Sequence, residues 1–216
     1  MGSITRSFAN NITTSGVLLP ASLVNNSIAN VTSYNAAVAT GGMVLISSQT
    51  ASNSASISFT TGINSTYKEY QFYFINIAPR TDIVQFTFNL STDAGSNYNV
   101  TKTSTFFRSY HDEPDSDTQL AYVDYDSAQS TSFEILSSPA GNDADQNISG
   151  SMSLFNPAST TYVKHFISSV NTTTYHDYSM NDFKAGYGNT TSAINAVQFK
   201  MASGNMDGTI LMYGIV

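Results

Sequence analysis

The sequence predicts an all-β protein: an antiparallel, jelly-roll-like β-sandwich that carries an extended N-terminal arm. Three observations predict it. Only 11% of the 216 residues are charged, so the chain lacks the Glu- and Lys-rich segments that make solvated helix faces. Thr, Ser, Val, Ile, Phe and Tyr dominate, which favours strands and turns. About ten short segments of alternating apolar and polar residues are separated by Gly- and Asn-rich turns, as in sandwiches and jelly rolls.

Residues 1–42 form the predicted arm, and residues 43–216 form the predicted sandwich. The arm begins with SITRSFANNITTSGVLLP (3–20), a polar stretch with isolated apolar residues. Its spaced apolar positions include Ile4, Phe8 and Ile12. This spacing suits an extended strap that presses single apolar side chains into the surface of a neighbouring subunit. We therefore expect the arm to dock the protein on other chains through these three residues.

The first four strand candidates of the sandwich are the segments 43–47, 55–60, 70–74 and 84–90. The clearest alternation is in the fourth, where Val84, Phe86, Phe88 and Leu90 are separated by Gln85, Thr87 and Asn89. Successive strand side chains point to opposite faces, so the pattern predicts one buried face and one wetter face. Half-buried strands of this kind favour an antiparallel sheet.

A turn is predicted at residues 91–98 (STDAGSNY). Asp93 can hydrogen-bond nearby backbone groups, and Gly95 can adopt a positive φ angle. The chain can reverse there, so we expect residues 99–107 to return beside residues 84–90 as the second strand of a hairpin.

The remaining strand candidates lie in the second half of the chain, at 120–125, 132–136, 148–155, 162–168, 195–201 and 208–215. The last of them is apolar up to the end of the chain, which predicts a central strand, and in many jelly rolls the first and last strands are neighbours. Residues 126–132 are the one candidate for a helical turn.

Charge and cysteine content exclude several classes of function. The formal net charge is −7 and the isoelectric point is about 4.6, so no basic patch is available for nucleic acid or an anionic membrane. The chain has no cysteine, which excludes disulfides, thiolate zinc sites and thiol catalysis. No signal peptide and no membrane-spanning segment can be recognised, so we expect a protein that is made in a cytoplasm and inserts in no membrane.

The sequence does not point to an enzyme. The chain has three histidines, His111, His165 and His176. None lies in a motif that would make it a catalytic base, and the Gly-x-Ser-x-Gly nucleophile motif is absent. We therefore predict no catalytic residues and no cofactor.

The densest group of carboxylates lies in HDEPDSDTQ (111–119) and consists of Asp112, Glu113, Asp115 and Asp117. Hard cations such as calcium take several carboxylate oxygens, so these residues are metal candidates. Asp124 with Asp126, and Asp143 with Asp145, could be interpreted in the same way. The alternative is an exposed acidic loop between strands, and we favour it because no segment has the full spacing of a known calcium loop.

Residues 171–191 (NTTTYHDYSMNDFKAGYGNTT) are the strongest candidate for a recognition surface. The candidate contacts are Tyr175, His176, Tyr178 and Tyr187. Aromatic faces stack on sugars, while amides and carboxylates hydrogen-bond to hydroxyl groups. The alternative, which we favour over glycan binding, is that these tyrosines pack between strands or at a subunit contact.

Four stretches together resemble virion-surface proteins of tailed bacteriophages, of the marine or cyanobacterial type. They are SITRSFANNITTSG at the start, INSTYKEYQFYFINIAP (63–79), STDAGSNY (91–98) and the closing GTILMYGIV (208–216). The family is similar to tail fibres, tail-associated attachment proteins and head decorations. The resemblance implies a jelly-roll-like sandwich, a multimeric state and no catalytic residues. The chain lacks the coiled-coil shaft, repeated β-prism and tip domain of a long fibre.

From this resemblance we expect a non-enzymatic structural protein of a phage particle, anchored by residues 1–42 to other virion proteins. It would be assembled in the host cytoplasm, and a homotrimer is the first expectation because fibre-type proteins often form trimers. Two alternatives remain open: a head decoration protein, and a carbohydrate-binding module for host attachment. A third, a glycan-depolymerising hydrolase, would require two carboxylates that face each other across a groove.

Overall fold

A computed structural model describes residues 42–216 of the protein. This part of the chain consists of strands, turns and loops without a helix, and its strands form two antiparallel sheets that pack on each other. The predicted β-sandwich is confirmed. Within residues 42–216, no helix reaches the length and hydrophobicity that a membrane crossing requires. Ile4, Phe8 and Ile12 lie outside the described residues, and their predicted docking role stays a prediction.

The larger sheet has eight strands in the order β1-β12-β3-β8-β9-β10-β5-β6. Every pair of neighbouring strands is antiparallel. The bounds, in chain order, are β1 Met43–Ser54, β3 Glu69–Pro79, β5 Lys102–Asp112, β6 Thr118–Tyr122, β8 Ile148–Phe155, β9 Lys164–Thr173, β10 Tyr178–Gly188 and β12 Met206–Ile215.

The smaller sheet has four strands in the order β2-β11-β4-β7. Their bounds are β2 Ile57–Phe59, β4 Phe86–Ser91, β7 Glu134–Ile135 and β11 Ala196–Met201. With half as many strands, this sheet leaves part of the inner face of the larger sheet to be covered by loops.

The apolar core is centred on Phe199 of β11. Its ring lies 5.2 Å from the rings of Phe72 and Phe74, measured between centroids, and 5.9 Å from the ring of Phe86. Phe59 and Phe88 complete the group at 6.3 Å each. The six rings come from both sheets and are at most 2% exposed. Most of the ring pairs are tilted or edge-to-face, the arrangements that aromatic rings prefer.

The prediction for the last strand agrees with the structure. β12 lies between β1 and β3 in the interior of the larger sheet, and it pairs with the first strand from Met43↔Ile215 to Ser54↔Met206. The alternation predicted in β3 is also present, because Tyr70, Phe72 and Phe74 are all buried.

The predicted hairpin of residues 84–90 with residues 99–107 is wrong. β4 belongs to the smaller sheet, where β11 and β7 occupy its two edges, whereas β5 pairs with β10 and β6 in the larger sheet. The turn itself exists: Gly95 has a φ of 88°, and the Asp93 carboxylate accepts hydrogen bonds from Asn97. The turn therefore carries the chain from one sheet to the other.

Three further expectations need correction. The second face of β4 is as buried as the first, since Thr87, Asn89 and Ser91 are at most 3% exposed. Residues 126–132 contain no helical turn. β10 was not predicted at all, although it is one of the longest strands and lies within the segment 171–191.

Candidate functional site

A pocket of about 230 Å³ lies between strands β5 and β10 of the larger sheet and the loops beside them. We call it the Arg108 pocket. Its walls come from β5, β10 and the loops around residues 138 and 175. The lining side chains used below are Arg108, Tyr110, Ser138, Tyr175, His176 and Tyr178. Arg108 and Tyr110 point into the sandwich because alternation along β5 places them on the same face as the buried Phe106.

The aromatic wall of the pocket is built by cross-strand packing. Tyr110 and Tyr178 are stacked with ring centroids 5.3 Å apart and an interplanar angle of 24°. Tyr175 and His176 lie beside them with centroids 3.9 Å apart. The Tyr110 hydroxyl donates a hydrogen bond of 3.3 Å to Asp117. The stack leaves a flat aromatic surface at the mouth of the pocket.

The polar floor is a chain of three residues. The Ser138 backbone N–H and hydroxyl donate to the two carboxylate oxygens of Asp182, at 2.5 and 2.8 Å. The Arg108 guanidinium donates in turn to the Ser138 hydroxyl at 3.4 Å. The Arg108 Nε atom is buried and finds no hydrogen-bond partner among the residues that the structure describes. Within residues 42–216, the guanidinium forms no ion pair with a carboxylate.

Burial controls the protonation of Asp182. The carboxyl group is fully buried, and desolvation raises its pKa to about 6, against the opposing hydrogen bonds from Ser138 and the charges of Arg108 and Lys184. Near neutral pH the floor therefore holds one anionic carboxylate that is screened from the pocket by Ser138.

The structure brings together three of the four predicted contact residues. Tyr175, His176 and Tyr178 line the Arg108 pocket, whereas Tyr187 lies elsewhere. Tyr187 points to the outer face of the larger sheet, where it borders a separate, shallow hollow with His165 and Ile167. Residues that alternate on opposite faces of β10 cannot share one site, and Tyr178 and Tyr187 are separated by an odd number of positions.

The acidic loop at 111–119 is held by its own hydrogen bonds. The Asp112 carboxylate accepts hydrogen bonds from the backbone N–H groups of Ser116 and Asp117, both at 2.8 Å, and from the Ser116 hydroxyl. These hydrogen bonds lower the pKa of Asp112. Asp115 lies 3.1 Å from His111 Nε2, and Glu113 is exposed.

The other candidate metal residues have separate environments. The Tyr122 hydroxyl donates to Asp126 at 2.5 Å, and Asp124 is exposed beside it. Asp143 and Asp145 are exposed in the turn before β8. Across residues 42–216, no three histidine or acidic side chains come close enough together to hold a metal ion.

A second polar group is sealed inside the sandwich. Lys184 Nζ forms an ion pair with Glu134 Oε1 at 2.5 Å, and both side chains are fully buried. The Ser104 hydroxyl donates to the same oxygen at 2.6 Å. Lys102 lies nearby, and burial lowers its pKa to about 8. This group resembles a catalytic serine–lysine pair in composition, but its burial denies a substrate access to it.

The outer face of the larger sheet carries an exposed apolar patch formed by side chains of β5, β6 and β9. We call it the outer-face patch, and its most exposed members are Phe107 (43%), Leu120 (72%), Tyr122 (61%) and Ile167 (56%). Phe107 pairs with Tyr122 across β5 and β6, and its ring stacks on Phe183 with centroids 4.9 Å apart. Apolar groups clustered in this way mark interaction surfaces.

Sequence reasoning missed the residues at the floor of the pocket, Arg108, Ser138 and Asp182. One signal was present: in TFFRSYHD (105–112), Arg108 occupies the same alternation phase as Phe106, so the pattern places a cation on a buried face. No local signal connects Ser138 or Asp182 to Arg108, because Asp182 meets Arg108 through the pairing of β10 with β5, and Ser138 reaches both from the loop after β7.

Comparisons of the chain with protein-family models, with curated proteins and with solved structures find no match.

Proposed function

We propose that this chain is a non-enzymatic structural protein of a tailed-phage particle, a tail fibre or tail-associated protein that displays its sandwich and docks through residues 1–42. The observation that carries this proposal is the outer-face patch. Four large apolar side chains are each more than 40% exposed on one face, and a cover from a second copy of the chain would remove them from water. The low fraction of charged residues supports the same assignment, because charged residues are depleted at the cores of interfaces.

Assembly tests this proposal directly. The full chain should form a homotrimer in native mass spectrometry, and replacing Phe107 and Tyr122 together by serine should yield monomers that keep the far-UV circular dichroism of the wild type. Replacing Tyr162 by serine is the matched control, because Tyr162 is 69% exposed but lies outside the patch. A monomeric wild-type chain would contradict the proposal.

The role of the arm needs a second experiment. Deleting residues 1–20 should leave a folded sandwich that no longer joins particles. Antibodies against the recombinant protein, applied to purified phage particles and viewed by electron microscopy, would then locate it. Labelling of the tail supports our assignment, labelling of the head favours a decoration protein, and unlabelled particles contradict both.

A second candidate function is carbohydrate binding for attachment to a host surface. The observation that favours it is the Arg108 pocket, where an aromatic stack lies beside hydrogen-bond donors, the combination that sugar recognition requires. Screening the full chain on a glycan array tests it. Attachment through this pocket is supported if binding disappears in Tyr178→Ala but persists in Tyr187→Ala. It is contradicted if the chain binds no glycan on the array.

A further inference from the structure

The Arg108 pocket has a cation at its floor that forms no ion pair with a carboxylate of residues 42–216. Arg108 is held between the Tyr110 ring, which lies 5.9 Å from its Cζ atom, and the Ser138 hydroxyl. Its buried Nε has no hydrogen-bond partner in the described part of the chain. The Arg108 guanidinium lines the pocket, and hydrogen bonds to a charged donor are stronger than neutral ones, so the floor is complementary to a ligand that supplies acceptor oxygens.

The nearest buried carboxylate does not fill this role. Asp182 lies opposite Arg108 across β10 and β5, but its two oxygens accept hydrogen bonds from Ser138, and the serine hydroxyl is its hydrogen-bond connection to the guanidinium. Ser138 thus holds the guanidinium, and no carboxylate of residues 42–216 forms an ion pair with it. A planar guanidinium with free donors binds a carboxylate through two parallel hydrogen bonds.

The aromatic wall limits the shape of the ligand. The Tyr110–Tyr178 stack offers a flat face and phenolic hydroxyl groups, which suit a sugar ring. The volume of about 230 Å³ is below the roughly 300–1,000 Å³ of common ligand pockets. One ring fits such a space, so the ligand would be a single residue of a longer glycan.

We propose that the Arg108 pocket binds a carboxylated sugar residue, a uronic or sialic acid, with its carboxylate on Arg108 and its ring against Tyr178. This inference rests on the carbohydrate-binding candidate function and narrows its ligand class. The aromatic residues supply contacts that a neutral sugar would also make, and Arg108 supplies the preference for the acid.

Matched ligands test the preference without altering the protein. The full chain is titrated by calorimetry with a panel of uronic acid trisaccharides and sialyllactose, and with the methyl esters of the same compounds. The esters keep the rings and hydroxyls but remove the negative charge. We expect at least one acid to bind about tenfold or more tightly than its ester, the loss expected for one charge-assisted contact.

Variants of Arg108 test whether this residue causes the preference for the acid over its ester. Arg108→Gln should abolish the difference between acid and ester, and Arg108→Lys should restore part of it, since lysine keeps the charge but not the planar fork. Tyr187→Phe is the control, because it lies outside the pocket and should leave binding unchanged. The melting temperature of each variant shows that it is folded.

The outcomes separate the two proposals. Equal binding of acids and esters overturns the carboxylate preference while carbohydrate binding stands. An acid preference that survives in Arg108→Gln also overturns it, because the anion then binds elsewhere. If every acid and ester fails to bind, and the glycan array is blank as well, both the preference and the attachment function are overturned.

Discussion

The interior of the sandwich has two halves of opposite character. Beneath the smaller sheet, five phenylalanine rings pack around Phe199. Beneath β5, β9 and β10, the fully buried large side chains include Lys102, Lys164 and Lys184. The difference follows from what covers each half. The backbone groups of a strand form hydrogen bonds with neighbouring strands, so only apolar side chains are needed beneath it. The carbonyl groups of an irregular segment need other hydrogen-bond donors.

The three buried lysines supply those donors. Lys102 donates to the Val100 carbonyl oxygen, and Lys184 donates to that of Tyr125. Lys164 donates to the carbonyl oxygens of Tyr162 and Thr190. All four carbonyl groups belong to residues outside the named strands. The polar half is therefore built to hold loops on a sheet, which apolar packing alone could not do without leaving carbonyl groups unsatisfied.

The largest effect is expected in the apolar half. Phe199→Ala should lower the free energy of unfolding by about 3–5 kcal/mol, because it removes a ring that touches five others and leaves a cavity. Urea denaturation at pH 7 and pH 5 measures this loss, and it should be the same at both values. A loss that varies with pH would mean that the two halves are coupled. Tyr162→Ala, on the surface, should cost less than about 0.5 kcal/mol.

A loss of stability of comparable size is expected in the polar half, and it should depend on whether the Glu134 carboxylate remains. Lys184→Met leaves the Glu134 carboxylate buried and should cost about 3–5 kcal/mol. Adding Glu134→Leu removes the uncompensated charge, so the double variant should recover most of that loss. A double-mutant cycle measured by urea denaturation gives the coupling. If the two losses simply add, Lys184 and Glu134 do not stabilise each other.

The same contrast explains how far the sequence could predict the structure. Alternation identified β3, β4 and β8, because their inward positions carry Phe, Tyr, Leu and Met. It failed for β10, because the inward residues of this strand include Asp182 and Lys184, which interrupt the alternation of apolar and polar residues. The pairing of β5 with β10 is long-range, so no local pattern could locate Arg108 opposite Asp182.

Acid titration tests the polar half of the interior alone, because it contains the buried carboxyl group of Asp182. The pKa of Asp182 is raised to about 6 in the folded protein, above its unfolded value of about 3.9. The folded state then binds the proton more tightly, so the stability from this group is complete below about pH 4 and is lost as the pH rises through about 6. The full difference is about 3 kcal/mol.

The variant Asp182→Asn isolates this contribution. The free energy of unfolding is measured by urea denaturation from pH 4 to pH 7 for both proteins, and the difference between the two curves is the quantity of interest. The wild type should lose stability relative to the variant as the pH rises. A flat difference would mean that Asp182 is ionised throughout the range, and that Ser138 and Arg108 fully compensate its burial.

The smallest effect is expected at the loop between β5 and β6, on the rim of the polar half. Both Asp112 oxygens already accept hydrogen bonds from Ser116 and Asp117. An ion would have to break these bonds, so saturating calcium or a chelator should move the melting temperature by less than about 1 °C. Asp112→Ala should lower the melting temperature, whereas Glu113→Ala, which removes an exposed side chain, should not. A rise of several degrees with calcium, lost in Asp112→Ala, would instead mean that the loop opens around an ion, and that the rim of the polar half is organised by a ligand rather than by its own backbone.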